Sequence, residues 1–173
     1  RDRYISKTPG LPDQYPRLPA ANGARKFTEG PNLHDYLSYY HRSVSDYDCV
    51  IIGEADNVPL EHALRYFENG EMELMFTFDH MRADCIGTDF IRRRFSVKKF
   101  KRALSAWQNG LAGRAWNALY LENHDHARVI SRYGSESYRV ESGKALAAAY
   151  MLLQGTPFIL SLIHISEPTR PIS

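Results

Sequence analysis

The sequence predicts an α/β fold, a parallel sheet covered by helices, and three observations predict it. Short apolar runs, Cys49-Val50-Ile51-Ile52, Leu74-Met75-Phe76 and Ala115–Leu121, lack the polar alternation of strands wetted on one face, as strands buried on both faces do. Between the runs lie segments whose apolar residues recur three or four apart, the period of a helix. The runs end on polar residues, Gly53-Glu54, Asp79-His80 and Asn123-His124-Asp125-His126, and in parallel sheets the carboxyl ends of strands are where sites form.

The elements follow in order. Pro9, Pro12, Pro16, Pro19, Gly10, Gly23 and Gly30 make residues 1–30 an irregular surface connection. Asn32 is a candidate cap for a helix whose stripe is Leu33, Tyr36, Leu37, Tyr40 and Val44, and a buried strand at 49–53 then leads to Glu54 at its tip. Pro59 suits the first turn of a second helix with Leu60, Ala63, Leu64 and Phe67 inward, stopped at Asn69-Gly70. A strand at Leu74–Phe78 follows, and 82–96 has no period and reads as an irregular loop. Val97, Phe100, Leu104, Trp107 and Leu111 form the stripe of a third helix, with Lys98, Lys99, Lys101 and Arg102 on its wet face. The strand at 115–121, a turn-rich loop at 132–137, a helix over Val140–Leu153 ended by Gly155, and a last strand from Thr156 complete the order. About four strands are too few for a closed eightfold barrel of about 250 residues. The chain is therefore a small open sheet or part of something larger.

Its 173 residues suffice for one core, and 43% hydrophobic with 24% charged residues is a globular composition. A net charge of +2 gives no reason to expect nucleic acid; Arg92-Arg93-Arg94 with Lys98–Arg102 is local, and its second half is the polar side of a helix. Two cysteines without framework spacing suit a reducing compartment. No apolar run approaches the roughly 18 residues of a membrane span. A cytoplasmic protein with no membrane partner is the expectation.

Carboxylates on neighbouring strand tips are what glycoside hydrolysis needs: a protonated acid for the leaving oxygen and ionised groups for the charge developing on the sugar. Glu54, at the end of an apolar run, is expected to be partly desolvated, which raises a carboxyl pKa toward a donor's range. Glu54 read as a strand-end carboxylate paired with a surface base, and Asp125 as a capping or loop aspartate, are the plainer alternatives. His124 and His126 in a His-x-His pattern, with Asp125 or Glu54, also allow a metal, although no fourth ligand stands at a telling spacing.

Ile51-Ile52-Gly53-Glu54 and Leu121-Glu122-Asn123-His124-Asp125, with Arg128-Val129-Ile130-Ser131-Arg132-Tyr133-Gly134, resemble the alpha-amylase superfamily, glycoside hydrolase family 13, in its oligo-1,6-glucosidase and alpha-glucosidase branch. Gly30–Leu37, Glu73–Phe76, Tyr138–Ser142 and Gln154–Ile159 add to the likeness, as does Ile5-Ser6-Lys7. The resemblance implies the carboxyl-terminal half of a TIM (β/α)8 barrel, truncated, holding its fifth to eighth strands with covering helices. It implies a retaining alpha-glycosidase of oligosaccharides or disaccharides, with Glu54 as general acid/base and Asp125 as the third carboxylate; no cofactor or metal is expected in this chain. His124 would bond the sugar beside Asp125, and Arg128 would line the site near the leaving group. The nucleophile of that family would lie just before Arg1, and the isolated chain is expected to be inactive. A non-catalytic relative of the transporter heavy-chain type, and a transglycosylase or isomerase, are the alternatives. The branch has Gln-Pro where this chain has His126-Ala127. Residues 1–159 are thus expected to be a partial catalytic barrel, while 160–173 resemble translated sequencing-adapter read-through and are expected to be foreign.

Overall fold

The computed structural model describes residues 30–56, 58–86 and 88–160; the Pro/Gly-rich start and the tail lie outside them. The described residues fall into two compact units. The first runs up to Phe78 and takes in Asn109–Trp116; the second holds Asp79–Gln108 and the residues from Asn117 onward.

In the first unit, helix α1 (Leu33–Val44) precedes strand β1 (Ile52–Ala55), helix α2 (Leu60–Glu68) and strand β2 (Leu74–Thr77). β1 and β2 pair in parallel, Ile52 against Leu74 and Glu54 against Phe76, with α2 as the crossover that parallel pairing requires. Pro59 precedes the first turn of α2, and Gly70, at φ 65°, ends it where the sequence expected. Ala63, Leu64 and Tyr66 are its buried residues. Tyr66 rather than Phe67 turns inward, with the His34 ring 4.9 Å from its own.

Several expectations fail here. Asn32 makes no side-chain cap, and α1 buries none of its residues, so the apolar stripe is not what holds the helix. Instead His34, Ser38 and His41, one helical face, meet two acids of the α2–β2 connection. His34 Nδ1 lies 2.8 Å from Oε2 of the fully buried Glu71, Ser38 Oγ donates to Glu71 and His41 Nε2 lies 3.2 Å from Glu73. The strand expected at 49–53 begins only at Ile52, and Glu54 lies within it rather than beyond its tip. Cys49, Val50 and Ile52 are exposed, because among the described residues of this unit β1 has a partner strand only in β2 and α1 supplies no buried cover. Leu37, Tyr40, Val44, Tyr47, Ile52 and Met72 line an open groove of about 550 Å³ there.

The second unit opens with a 3-10 turn (Asp79–Arg82) and strands β3 (Cys85–Ile86) and β4 (Thr88–Arg92), an antiparallel pair within what reads from sequence as a shapeless loop. Two strands this short carry no visible period; they are held by backbone bonds from Arg93 N–H and Ser96 N–H to the Asp84 and Ala83 carbonyls. Helix α3 (Val97–Leu111) buries Phe100, Trp107 and Leu111 and exposes Lys98, Lys99, Lys101 and Arg102 as expected, while Val97 is exposed. Strand β5 (Trp116–Leu119) and the two residues after it are buried from Asn117 to Leu121. Helix α4 (Val129–Tyr133) takes in Arg132 and Tyr133, which the sequence placed in or beside a loop. Helix α5 (Arg139–Met151) buries Leu146 and Tyr150 and ends four residues before Gly155, and strand β6 (Thr156–Pro157) pairs in parallel with β5. The core of this unit gathers Ala83, Phe100, Leu119, Leu121, Tyr133, Leu146 and Tyr150.

Gly155 admits no side chain, since its φ is 147° and a Cβ would lie 2.6 Å from the Asn117 carbonyl oxygen. Gly155→Ala is expected to lower the unfolding free energy by about 2 kcal/mol, read from urea denaturation, while Gly113→Ala, at φ 70° but with open space around it, costs less.

Candidate active site

The expected site residues are presented by both units. Glu54 stands on β1 next to Gly53, where the strand passes so close to Met72 that a Cβ on Gly53 would lie 2.3 Å from its Sδ. The Glu54 side chain is exposed rather than desolvated, for the reason that leaves Ile52 exposed. It makes no hydrogen bond or ion pair among the described residues, so the surface base of the plainer reading is not found there.

His124, Asp125 and Arg128 belong to the second unit, on the connection from buried β5 to α4. His124 and Asp125 are exposed, with His124 Nε2 3.4 Å from Asp125 Oδ1. Asn123 organises the turn: its Oδ1 accepts the Asp125 N–H at 3.2 Å and meets His126 Nδ1 at 2.6 Å. Because that oxygen is an acceptor, Nδ1 of His126 carries the proton. Asp125 is a loop aspartate, as the plainer reading had it, yet its carboxylate is left exposed. The two imidazoles are not side by side on a strand, and no group of three His, Cys, Asp or Glu side chains fit to hold a metal occurs among the described residues.

Five residues to which the sequence assigned no site role support this tip. Glu122 accepts the Val129 N–H at 2.8 Å and pairs with Arg128 at 3.2 Å. His80, buried, donates from Nε2 to the Tyr120 carbonyl at 2.7 Å, and its ring meets Phe100 and Tyr120 edge-on. Asp84 accepts from Arg132 at 2.7 and 3.0 Å, and Arg132 also donates to the Met81 carbonyl. Tyr133 Oη donates to the His80 carbonyl at 3.0 Å. The 3-10 turn, the end of β5 and α4 are thereby tied together. The only signal in the sequence was position, polar residues at the ends of apolar runs; Asp84 and Arg132, 48 residues apart, gave none.

Electrostatics follow from burial. Burial lowers the His80 pKa from 6.5 to about 4, since the charged form is desolvated beside Arg132 and His126; the Tyr120 carbonyl and Asp79 oppose this less strongly. Nδ1 has no partner among the described residues that would accept a second proton. For Asp84, burial pushes the carboxyl up, but the hydrogen bonds and charge of Arg132, helped by Cys85 and Arg92, outweigh it and leave the group below its ordinary value. Burial raises the Tyr133 phenol and keeps it protonated as a donor.

Comparison with known proteins places the chain. The model of the alpha-amylase family, described as the alpha amylase catalytic domain, matches residues 3–161. This chain belongs to the alpha-amylase family. It is 41% identical over 163 residues to the oligo-1,6-glucosidase of Halalkalibacterium halodurans, covering 90% of this chain and 29% of that relative. It is 39% identical over 152 residues to the trehalose-6-phosphate hydrolase of Bacillus subtilis, covering 84% of this chain and 27% of the relative. Among solved structures it matches the Bacillus licheniformis trehalose-6-phosphate hydrolase with TM-score 0.73 and 39% identity, over 79% of this chain and 26% of that one. An inactive double mutant of MutB in complex with isomaltulose matches with TM-score 0.76 and 35% identity, over 89% of this chain and 28% of that one. The chain thus spans under a third of the length of these relatives, and its α/β fold is part of their TIM barrel. Among the described residues no helix is long and apolar enough to cross a membrane.

Two outcomes test this frame. The folded-state pKa of His80 is depressed, so its contribution to stability is whole above pH 6.5 and is lost as pH falls toward 4, by at most about 3 kcal/mol. His80→Asn is expected to flatten unfolding free energy against pH within that window. Arg132→Ala, which leaves Asp84 buried beside only the half-exposed Arg92, is expected to cost about 3 kcal/mol by chemical denaturation, and more than the added cost of the same change in an Asp84→Ala background.

Proposed function

We propose that the full-length protein carrying this chain is a retaining alpha-glycosidase acting on short oligosaccharides or disaccharides. Glu54 protonates the leaving glycosidic oxygen as a nucleophilic carboxylate outside this chain attacks the anomeric carbon, and the ionised Glu54 then takes a proton from the water that releases the sugar. Asp125 accepts hydrogen bonds from sugar hydroxyls and favours the charged, flattened ring. His124 bonds the same sugar, and Arg128 lines the leaving-group side. Residues 1–159 are read as part of the catalytic barrel and 160–173 as foreign. A cytoplasmic location goes with the reading, since Cys49 and Cys85 are both free thiols.

The observation that carries the proposal is that Glu54 and Asp125 are exposed carboxylates on strand-linked positions whose local structure is completed by other residues, in a chain of this family. Buried acids such as Glu71 and Asp84 are consumed by structural partners; these two are available to a ligand. Similarity to proteins named oligo-1,6-glucosidase and alpha-glucosidase supports the linkage class. An isomerase acting on the same covalent intermediate is the second reading, favoured by the match to the isomaltulose synthase of Erwinia rhapontici at TM-score 0.74 and 28% identity.

In the full-length protein Glu54→Gln is expected to slow hydrolysis of a natural disaccharide by about 10²- to 10⁴-fold and that of a nitrophenyl glucoside, whose leaving group needs no proton, far less in the glycosylation step. Equal losses would take the acid role from Glu54. Chromatography of the products from sucrose separates the two readings: glucose and fructose mean hydrolysis, a rearranged disaccharide means isomerisation.

A further inference from the structure

The carboxylate of Glu122 spans the loop that presents His124 and Asp125. Its side chain is 13% exposed and stands directly after the buried Tyr120 and Leu121. One oxygen accepts the Val129 N–H at 2.8 Å; the other is 3.2 Å from Arg128 Nη2. Those two contacts are to consecutive residues on the far side of the loop, so a single side chain closes residues 123–127 from both ends. α4 needs this, because its first residue follows Arg128, which is extended at ψ 141° and gives the helix no side-chain cap. The far end of α4 is immobilised by Arg132 on Asp84 and Tyr133 on the His80 carbonyl. Asn123 braces the loop from inside. The near end therefore depends on Glu122.

We infer that Glu122 is a positioning residue: it holds the Arg128 guanidinium, half exposed, in the direction from which its remaining donors reach a sugar hydroxyl, and it keeps the Asp125 loop in one closure. The inference rests on the reading of Arg128 and Asp125 as sugar contacts. Its chemistry separates two duties of one carboxylate. Glutamine keeps a carbonyl oxygen for the Val129 N–H but cannot pair with the Arg128 charge; alanine removes both.

In the full-length protein Glu122→Gln is expected to leave the melting temperature and the hydrogen exchange of residues 123–129 unchanged while raising KM for a disaccharide about tenfold, with a smaller change in kcat. In an Arg128→Ala background the same substitution should add nothing to KM. Glu122→Ala should speed exchange of the 123–129 segment and lower the melting temperature. An unchanged KM in Glu122→Gln, or an equal loss with and without Arg128, overturns the positioning role and leaves Glu122 a helix cap. Unchanged exchange in Glu122→Ala overturns the loop closure as well. The exchange measurement does not depend on any sugar chemistry, so failure of the glycosidase reading would appear as inactive parent protein with the exchange result intact.

Discussion

The ion pair between Asp84 and Arg132 is the constraint on which the second unit depends. Both side chains are 5% exposed, and two charges at that depth are tolerated because their geometry is close and each has further hydrogen bonds, although Arg132 Nη1 has no partner among the described residues. Arg132 also holds the Met81 carbonyl, and Asp84 also takes Arg92, so the pair sits at the junction of the 3-10 turn, the β3–β4 hairpin and α4. His80, kept neutral by burial, reaches from the same turn to the Tyr120 carbonyl at the end of β5. Breaking the pair would release the turn and α4 together.

That frame has a consequence for the loop between β5 and α4. Its ends are held by Glu122, which reaches Val129 and Arg128, while His124 and Asp125 at its crest stay exposed. On the proposed function, such a loop would offer a sugar hydrogen-bonding groups on a rigid support. Asn123 and Glu122 supply the rigidity locally, and the Asp125 carboxylate stays exposed beside His124. The first unit divides its acids likewise: Glu71 and Glu73 hold α1 through His34, Ser38 and His41, and Glu54 stands exposed on β1.

How far this was legible in the sequence varied with the range of the interaction. The α2 boundaries were readable because Pro59 and Asn69-Gly70 act on the backbone within a turn, and Gly70 does adopt the positive φ that such a stop uses. The face of α3 was readable because Phe100, Trp107 and Leu111 pack in register with the helical period. The β3–β4 hairpin was not, since two strands this short have no period to read, and its anchors come from Asp84 and Ala83 backbone carbonyls. The burial of β1 was misjudged for a different reason: an apolar run predicts what a strand prefers, and cover has to come from a neighbour.

The sequence by itself determined the alternation of parallel strands and helices, the polar residues that follow β2 and β5, and membership of the family, because these depend on local period, chain order and short motifs. The tertiary structure alone decided which acids are spent in structural contacts and which stay exposed. Glu71, Glu122 and Asp84 look no different in sequence from Glu54 and Asp125, and only the approach of His34, Arg128 and Arg132 across six to 48 residues of chain turns the first three into structural anchors. Partners that far apart leave no mark on spacing, since folding and not adjacency brings their charges together.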